Sequence, residues 1–222
     1  MAGQVSGTRR PSAGSSTSCR SSEPASCRTR REKAQADFDH RCAVLRERLA
    51  QPDFLGNRGL GNEVGIFTFC YDPALELQMR AFVVRLKHEA DAGILPCRIV
   101  ERNLYDALLE ICRRKRILDA IPKQEQKRGQ EGLLKQLQKT ATPEAFVSEV
   151  NYPDHQPGDV LLITGVGEVY PFLRAHVLLD NIQHLFEDMP VVLMYPGSFD
   201  GQSLVLFNKL TDGNYYRAFD LV

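Results

Sequence analysis

The sequence predicts a single α/β domain of three layers, a mostly parallel sheet flanked by helices, preceded by a disordered N-terminal tail. Three observations carry that fold class. Near-continuous apolar runs, Glu63 to Tyr71 (EVGIFTFCY), Asp159 to Thr164 (DVLLIT) and Pro190 to Tyr195 (PVVLMY), have the length and composition of strands buried on both faces. Stretches with apolar residues at three- and four-residue steps separate them, and strands alternating with helices give a parallel sheet covered on both sides. The length of 222 residues, with 43% hydrophobic and 25% charged, suits one globular unit plus a tail, large enough to bury a core without a metal or a disulfide.

Residues 1–32 carry six arginines against two glutamates, and Val5 is their one large aliphatic residue after Met1. Such a stretch buries too little apolar area to offset its ordering entropy, so it reads as a disordered tail or an extension from an upstream start codon. The folded body, residues 33–222, is expected to begin near Lys33. Residues 34–50 set Phe38, Cys42, Leu45 and Leu49 on one helix face, which Pro52 and the glycines at 56, 59 and 61 terminate. The first strand is Glu63 to Tyr71. Asp72 and Pro73 supply the cap and first position of a helix with Leu75, Met79, Phe82, Val83, Leu86 and Ala90 on one side, and Gly93 stops it.

Cys97 to Val100 is the second strand, and Leu104 to Leu118 a helix with Leu104, Leu108, Ile111 and Cys112 inward. Pro122 to Lys139 is polar and helical, interrupted by Gly129 and Gly132, and a short helix over Pro143 to Val150 leads to the strand Asp159–Thr164. Gly165-Val166-Gly167 turns the chain into a helix from about Tyr170 to Asp188. Pro190 to Tyr195 and Ser203 to Phe207 are further strands, and Tyr216 to Val222 an edge strand.

The net charge is zero, which excludes binding of polyanions through bulk charge alone, but the charge is segregated. Residues 113–139 hold nine basic and three acidic side chains, for +6, whereas residues 140–222 sum to −8. No run reaches the roughly 18 apolar residues of a membrane span, and the N-terminus has no apolar signal core, so a cytoplasmic protein is expected. The six cysteines, at 19, 27, 42, 70, 97 and 112, lack the close pairing of zinc ribbons and redox motifs. Cys70, Cys97 and Cys112 lie among apolar residues and read as buried thiols.

Ligands of open parallel sheets sit beyond the carboxyl ends of the strands, which directs attention to Tyr71–Pro73, Thr164–Pro171 and Pro196–Gln202. Thr164-Gly165-Val166-Gly167-Glu168 begins like a dinucleotide-binding turn, but Tyr170 replaces the third glycine and Glu168 puts negative charge where a pyrophosphate would lie. A tight turn needing backbone freedom is the simpler reading. The chain contains no Gly-Lys-Ser or Gly-Lys-Thr. Ser198 is displaced from the centre of a nucleophile elbow and has no evident partner. His176, Asp180 and His184 recur every fourth residue, spanning about 12 Å of helix, too far for one metal ion. Beside them Phe172, Leu179, Ile182 and Phe186 form an apolar stripe, while Leu173 and Val177 fall among polar residues. That helix is either buried on both sides or offers a patch to another protein. Arg113, Arg114, Lys115 and Arg116 are candidates for phosphate contact, but no aromatic residue lies between Tyr105 and Phe146 to stack on a base. A solvated face or a dock for an acidic partner competes with that reading.

Gly59-Leu60-Gly61-Asn62-Glu63-Val64, Leu104-Tyr105-Asp106, Ile163 to Phe172 (ITGVGEVYPF) and Tyr195 to Leu204 (YPGSFDGQSL), closed by Asn214 to Phe219 (NYYRAF), resemble the B protein of bacterial BREX phage-exclusion systems, the BrxB family. The resemblance covers residue 36 to the C-terminus. It implies a small cytoplasmic, non-enzymatic accessory or adaptor subunit of a defence complex that restricts phage DNA and marks host DNA by adenine methylation. The implied partners are the alkaline-phosphatase-like PglZ above all, with the large ATPase and the methyltransferase. No catalytic residue, metal or cofactor is carried over from the family. The expected interface comprises Glu168, Tyr170, Arg174, His176, Asp200, Gln202, Tyr215, Tyr216 and Arg217, weighted to tyrosine and arginine as common anchors. The alternative functions are a degenerate nucleotide-binding or a DNA-binding sensor in the same system.

Overall fold

The computed structural model describes residues 25–57, 65–199, 203–211 and 219–221. Among them, strands β1 (Ile66–Tyr71), β2 (Arg98–Asn103), β3 (Asp159–Thr164), β4 (Val191–Phe199) and β7 (Phe219–Asp220) form a sheet in the order β2-β3-β4-β1-β7. Every pairing along that path is parallel. Two short strands, β5 (Leu204–Leu206) and β6 (Leu210–Thr211), continue it antiparallel from the far end of β4. The sheet is therefore mixed, with a parallel body.

Alternation along each strand divides the core in two. Ile66, Cys70, Leu161, Ile163, Val191, Leu193 and Tyr195 face α4 (Leu104–Arg114), α5 (Ile121–Thr140), α6 (Pro143–Val150), α7 (Val166–Val169) and α8 (Ala175–Ile182). Phe67, Phe69, Tyr71, Val160, Leu162, Val192 and Met194 face α1 (Ala25–Arg48), α2 (Pro52–Leu55) and α3 (Glu76–Asp91). Because both faces are covered, β1 and β3 are buried at every position, as their unbroken apolar runs require. β2 is one edge strand among the described residues, polar and only half-buried.

Most elements lie where their side-chain period sets them. Asp72 accepts a hydrogen bond from the Ala74 amide and opens a short 3₁₀ turn, Pro73–Leu75, that runs into α3. Leu75, Met79, Phe82, Val83 and Leu86 are buried, with Ala90 half-buried, and Gly93 ends the element at φ +72°. Helix α1 starts at Ala25, ahead of Lys33, although its first buried side chain among the described residues is Phe38. Of the two glycines expected to interrupt α5, only Gly129 does so, at φ 71° and ψ 171°.

Four elements differ from expectation. The helix expected over Tyr170 to Asp188 is broken: Tyr170 is extended at ψ 136°, since Pro171 disfavours a helical residue before it and lacks an N–H. Helix α8 starts only at Ala175, and His184 lies in a following 3₁₀ turn, Gln183–Leu185, so His176, Asp180 and His184 do not form a continuous helical line. The break lets Leu173 join Leu179, Ile182 and Phe186 in one core, with Phe172 and Val177 packed against it, which resolves the two apolar sets without an exposed patch on this element. Strand β4 runs through Pro196 and Gly197, which read as a loop. Its first part pairs with β1 and its last with β5, the Pro196 carbonyl accepting from the Phe207 amide at 2.8 Å. Strand β2 continues to Asn103, and α4 ends at Arg114 rather than near Leu118.

The parallel strands end together at Tyr71, Asn103, Thr164 and Pro196. There α3 leaves β1 toward one face while α4 and α7 leave β2 and β3 toward the other, and such a reversal opens a crevice above the strand ends.

Candidate functional site

Charged side chains fasten the crevice. The buried Tyr71 hydroxyl donates to Glu76 Oε2 at 2.5 Å, and Arg80 joins Glu76 Oε1 and Glu168 Oε1, each at 2.9 Å, linking α3 to α7. Opposite, Glu101 accepts from Thr164 Oγ1 at 2.9 Å and from Lys87 Nζ at 2.8 Å. Burial first, then the bond to Glu76, hold the Tyr71 hydroxyl far above its ordinary range, so it remains a donor. The space left between these groups is about 170 Å³, lined by Met79, Val83, Asn103 and Gly165 among others.

The turn beside it needs its glycine. Asn103 caps α4, its Oδ1 accepting from the Tyr105 and Asp106 amides at 2.9 and 3.1 Å. Gly165, at φ +76°, passes so close that a Cβ there would lie 2.6 Å from that oxygen. The first two glycines of the nucleotide-like motif thus serve close packing: a Cβ on Gly167 would meet the Phe207 ring at 2.8 Å.

A larger cavity, about 370 Å³, opens on the other side of α7. Val166, Leu173, Ala175 and Leu206 supply its apolar wall, Tyr170 and Tyr195 its aromatic groups, and Arg174 and Lys209 its charges, with Leu210 and Thr211 at β6. Residues from three separated segments, 166–175, Tyr195 and 206–211, meet here because the β5–β6 hairpin folds back beside α8.

The expected interface residues fall partly on this surface. Tyr170 and Arg174 line the large cavity, Glu168 is exposed and paired with Arg80, and His176 is half-buried in the first turn of α8. Asp200, Gln202, Tyr215, Tyr216 and Arg217 lie outside the described residues, as do residues 1–24 of the tail and the segment Gly59 to Val64. In the basic run, Arg113 pairs with Glu110 and Arg114 with Glu149, while Lys115 and Arg116 are exposed.

Sequence reasoning missed the Tyr71–Glu76–Arg80–Glu168 chain, because Glu168 is far in sequence from the other three and each member is ordinary on a helix or strand end. It also missed Lys209. The signal for Lys209 was its charge, one of three basic residues in an acidic stretch of more than eighty. Four cysteines are described, Cys42, Cys70, Cys97 and Cys112, and all are buried thiols. Burial pushes Cys42 and Cys70 up to about 12 and Cys97 to about 11.

No helix among the described residues is long and apolar enough to cross a membrane. A family model described as BREX protein BrxB matches residues 100–221. The chain is 37% identical over 193 residues to a BREX protein BrxB of Bacillus cereus (strain H3081.97), covering 83% of this chain and 97% of that relative. It is 28% identical over 187 residues to a BREX protein BrxB of Escherichia coli O9:H4 (strain HS), covering 83% and 92% respectively. No solved structure matches the chain.

Proposed function

This chain belongs to the BREX protein BrxB family and has a role in a BREX phage-defence system, and on that premise we propose that it is a non-enzymatic adaptor. It contacts the alkaline-phosphatase-like PglZ component in the cytoplasm and through it supports phage restriction and host DNA methylation by the large ATPase and the methyltransferase.

One observation carries the reading. The outer face of α3 bears Leu77 and Val84, 76% and 65% exposed, with Ala81 between them at helical spacing. A folded chain with a full core on the opposite side of the same helix gains nothing from this apolar stripe, whereas a partner does. Arg80 lies within the stripe and reaches Glu168, so the stripe runs on toward the Glu168–Arg174 surface.

The test is size-exclusion chromatography with light scattering on this protein mixed with PglZ from its own locus. A shared peak of defined mass is expected, lost on Leu77→Asp with Val84→Asp and weakened by Arg174→Glu, while the variants keep the circular dichroism spectrum of the parent. Separate peaks for the unmodified pair at micromolar concentration would sink the partnership.

A second reading, contact with DNA, draws on the exposure of Lys115, Arg116, Lys123, Lys127, Arg128, Lys135 and Lys139 along one segment. It requires affinity that falls steeply with salt, and a flat dependence excludes it.

A further inference from the structure

Helix α3 carries two apolar faces. Met79, Phe82, Val83 and Leu86 enter the core, whereas Leu77, Ala81 and Val84 are exposed, and exposed His88 follows at the next step. The steps along that outer line are four, three and four residues, an average of about 3.5. Such a repeat is the seam that one helix offers another, and it does not suit an extended segment, whose side chains repeat every second residue. Ala81, short between Leu77 and Val84, leaves a hole of the kind that a large side chain from a facing helix fills.

The residues beside the seam fix the sign of the partner. Arg80 and Lys87 flank it on one side, Gln78 and Arg85 on the other, so three of these four positions are basic and none is acidic. Arg80 bonds Glu76 and Glu168, and Lys87 bonds Glu101, yet their side chains stay 47% and 42% exposed and each has more N–H groups than those bonds occupy. Arg85 is exposed, its guanidinium 5.9 Å from the centre of the Phe82 ring. Facing flanks of a helix pair select partners by opposite charge. Two copies of α3 laid together in either direction would set basic flank against basic flank, which disfavours a second copy as the occupant.

We propose that the outer face of α3 receives an acidic amphipathic helix of a partner protein, with large apolar side chains around Ala81 and carboxylates against Arg80, Arg85 and Lys87. The inference rests on the adaptor reading for the existence of a partner and adds the secondary structure and charge sign of what that partner presents.

The probe is a synthetic peptide of about three heptads with leucine at both seam positions and glutamate at both flanks, beside the same peptide with lysine flanks. Titrated into the full chain by fluorescence anisotropy at fixed ionic strength, the glutamate peptide is expected to bind at least about tenfold more tightly. Leu77→Asp with Val84→Asp should abolish that binding, and Arg85→Glu should narrow the preference at least about threefold, with melting temperatures confirming that the variants fold. The comparison of peptides needs only the parent chain, so it decides whatever the variants do. The proposal is overturned if neither peptide binds at about 1 mM, if the two bind alike, or if the lysine peptide is preferred. Co-sedimentation with phosphatidylserine vesicles, without a peptide preference, overturns it in favour of a lipid surface. If the shared chromatographic peak of the adaptor test persists beside such a result, the adaptor reading stands and this one falls; a glutamate preference without that peak separates them the other way.

Discussion

Arg98 grips Asp159 with two guanidinium bonds, Nε to Oδ1 at 2.8 Å and Nη2 to Oδ2 at 2.5 Å, across the first paired positions of β2 and β3. Asp159 is only 2% exposed, and its Oδ2 also accepts from the Gln156 amide at 2.8 Å. Burial would raise its pKa, but the Arg98 bonds, that amide and the charges of Arg98 and His155 outweigh it and leave the carboxyl below its ordinary value.

The two partners are unequal, so their removal costs differ. Asp159→Asn keeps an acceptor for the Gln156 amide and leaves a largely exposed guanidinium, at a cost of about 1–2 kcal/mol. Arg98→Met leaves a buried carboxylate without its cation and should lower the melting temperature further. Thermal unfolding of both variants at pH 7 checks the order, and an equal or reversed effect contradicts it.

His155 makes stability depend on pH nearby. Its Nδ1 lies 2.9 Å from the Tyr152 carbonyl and its Nε2 2.8 Å from Asp188 Oδ1. The carbonyl first, opposed by burial and aided by Asp188, raises its pKa. A raised folded pKa gives stability that is complete below the ordinary imidazole value of about 6.5 and is lost as pH climbs through the folded one. The melting-temperature gap between the parent and His155→Gln should therefore narrow between pH 6 and pH 8.5. A gap that widens would refute the protonated ring.

Gly197 occupies the point where β4 exchanges a parallel neighbour for an antiparallel one. A Cβ there would stand 2.1 Å from the Val205 carbonyl oxygen, which is backbone and has no rotamer to give. Gly197→Ala is expected to cost about 1–3 kcal/mol and to loosen the β5–β6 hairpin, read as faster amide exchange at Val205 and Leu206.

The described thiols should be silent. With Cys42, Cys70, Cys97 and Cys112 buried and their pKa values raised, a disulfide reagent at pH 7.5 should leave all four unlabelled in the native protein and modify them on denaturation, as peptide mapping will report. Native-state labelling of Cys70 would contradict the packing of β1.

The parallel body of the fold was legible because β1, β3 and β4 are buried on both faces and their composition says so. Pro143 to Val150 was legible to the residue, since Thr142 caps it and Phe146 and Val150 anchor it. Two features escaped because they depend on what the chain meets rather than on what it is. Pro196-Gly197 has the chemistry of a turn, yet β5 supplies the pairing that keeps it extended. Tyr170 to Asp188 carries a helical period, but the proline near its start moves the first turn to Ala175. The cavity was invisible for a related reason: Val166, Tyr195 and Lys209 share no local pattern, and only the hairpin brings them together. Tyr170 and Arg174 were nevertheless picked out as exposed anchors, and both reach its wall.

β2 closes one side of the sheet, and that ending has a consequence for assembly. The Arg98 amide donates inward to the Gly158 carbonyl, so the alternate residues Ile99, Glu101 and Asn103 turn their main-chain groups outward along a ready template for another strand. The side chains around that template are spoken for: Arg98 holds Asp159, Glu101 holds Thr164 and Lys87, and Asn103 caps α4. An incoming ribbon would have to lie against these fixed charges, which discourages edge-to-edge aggregation when many copies are crowded together. At this edge the ladder itself stays finite.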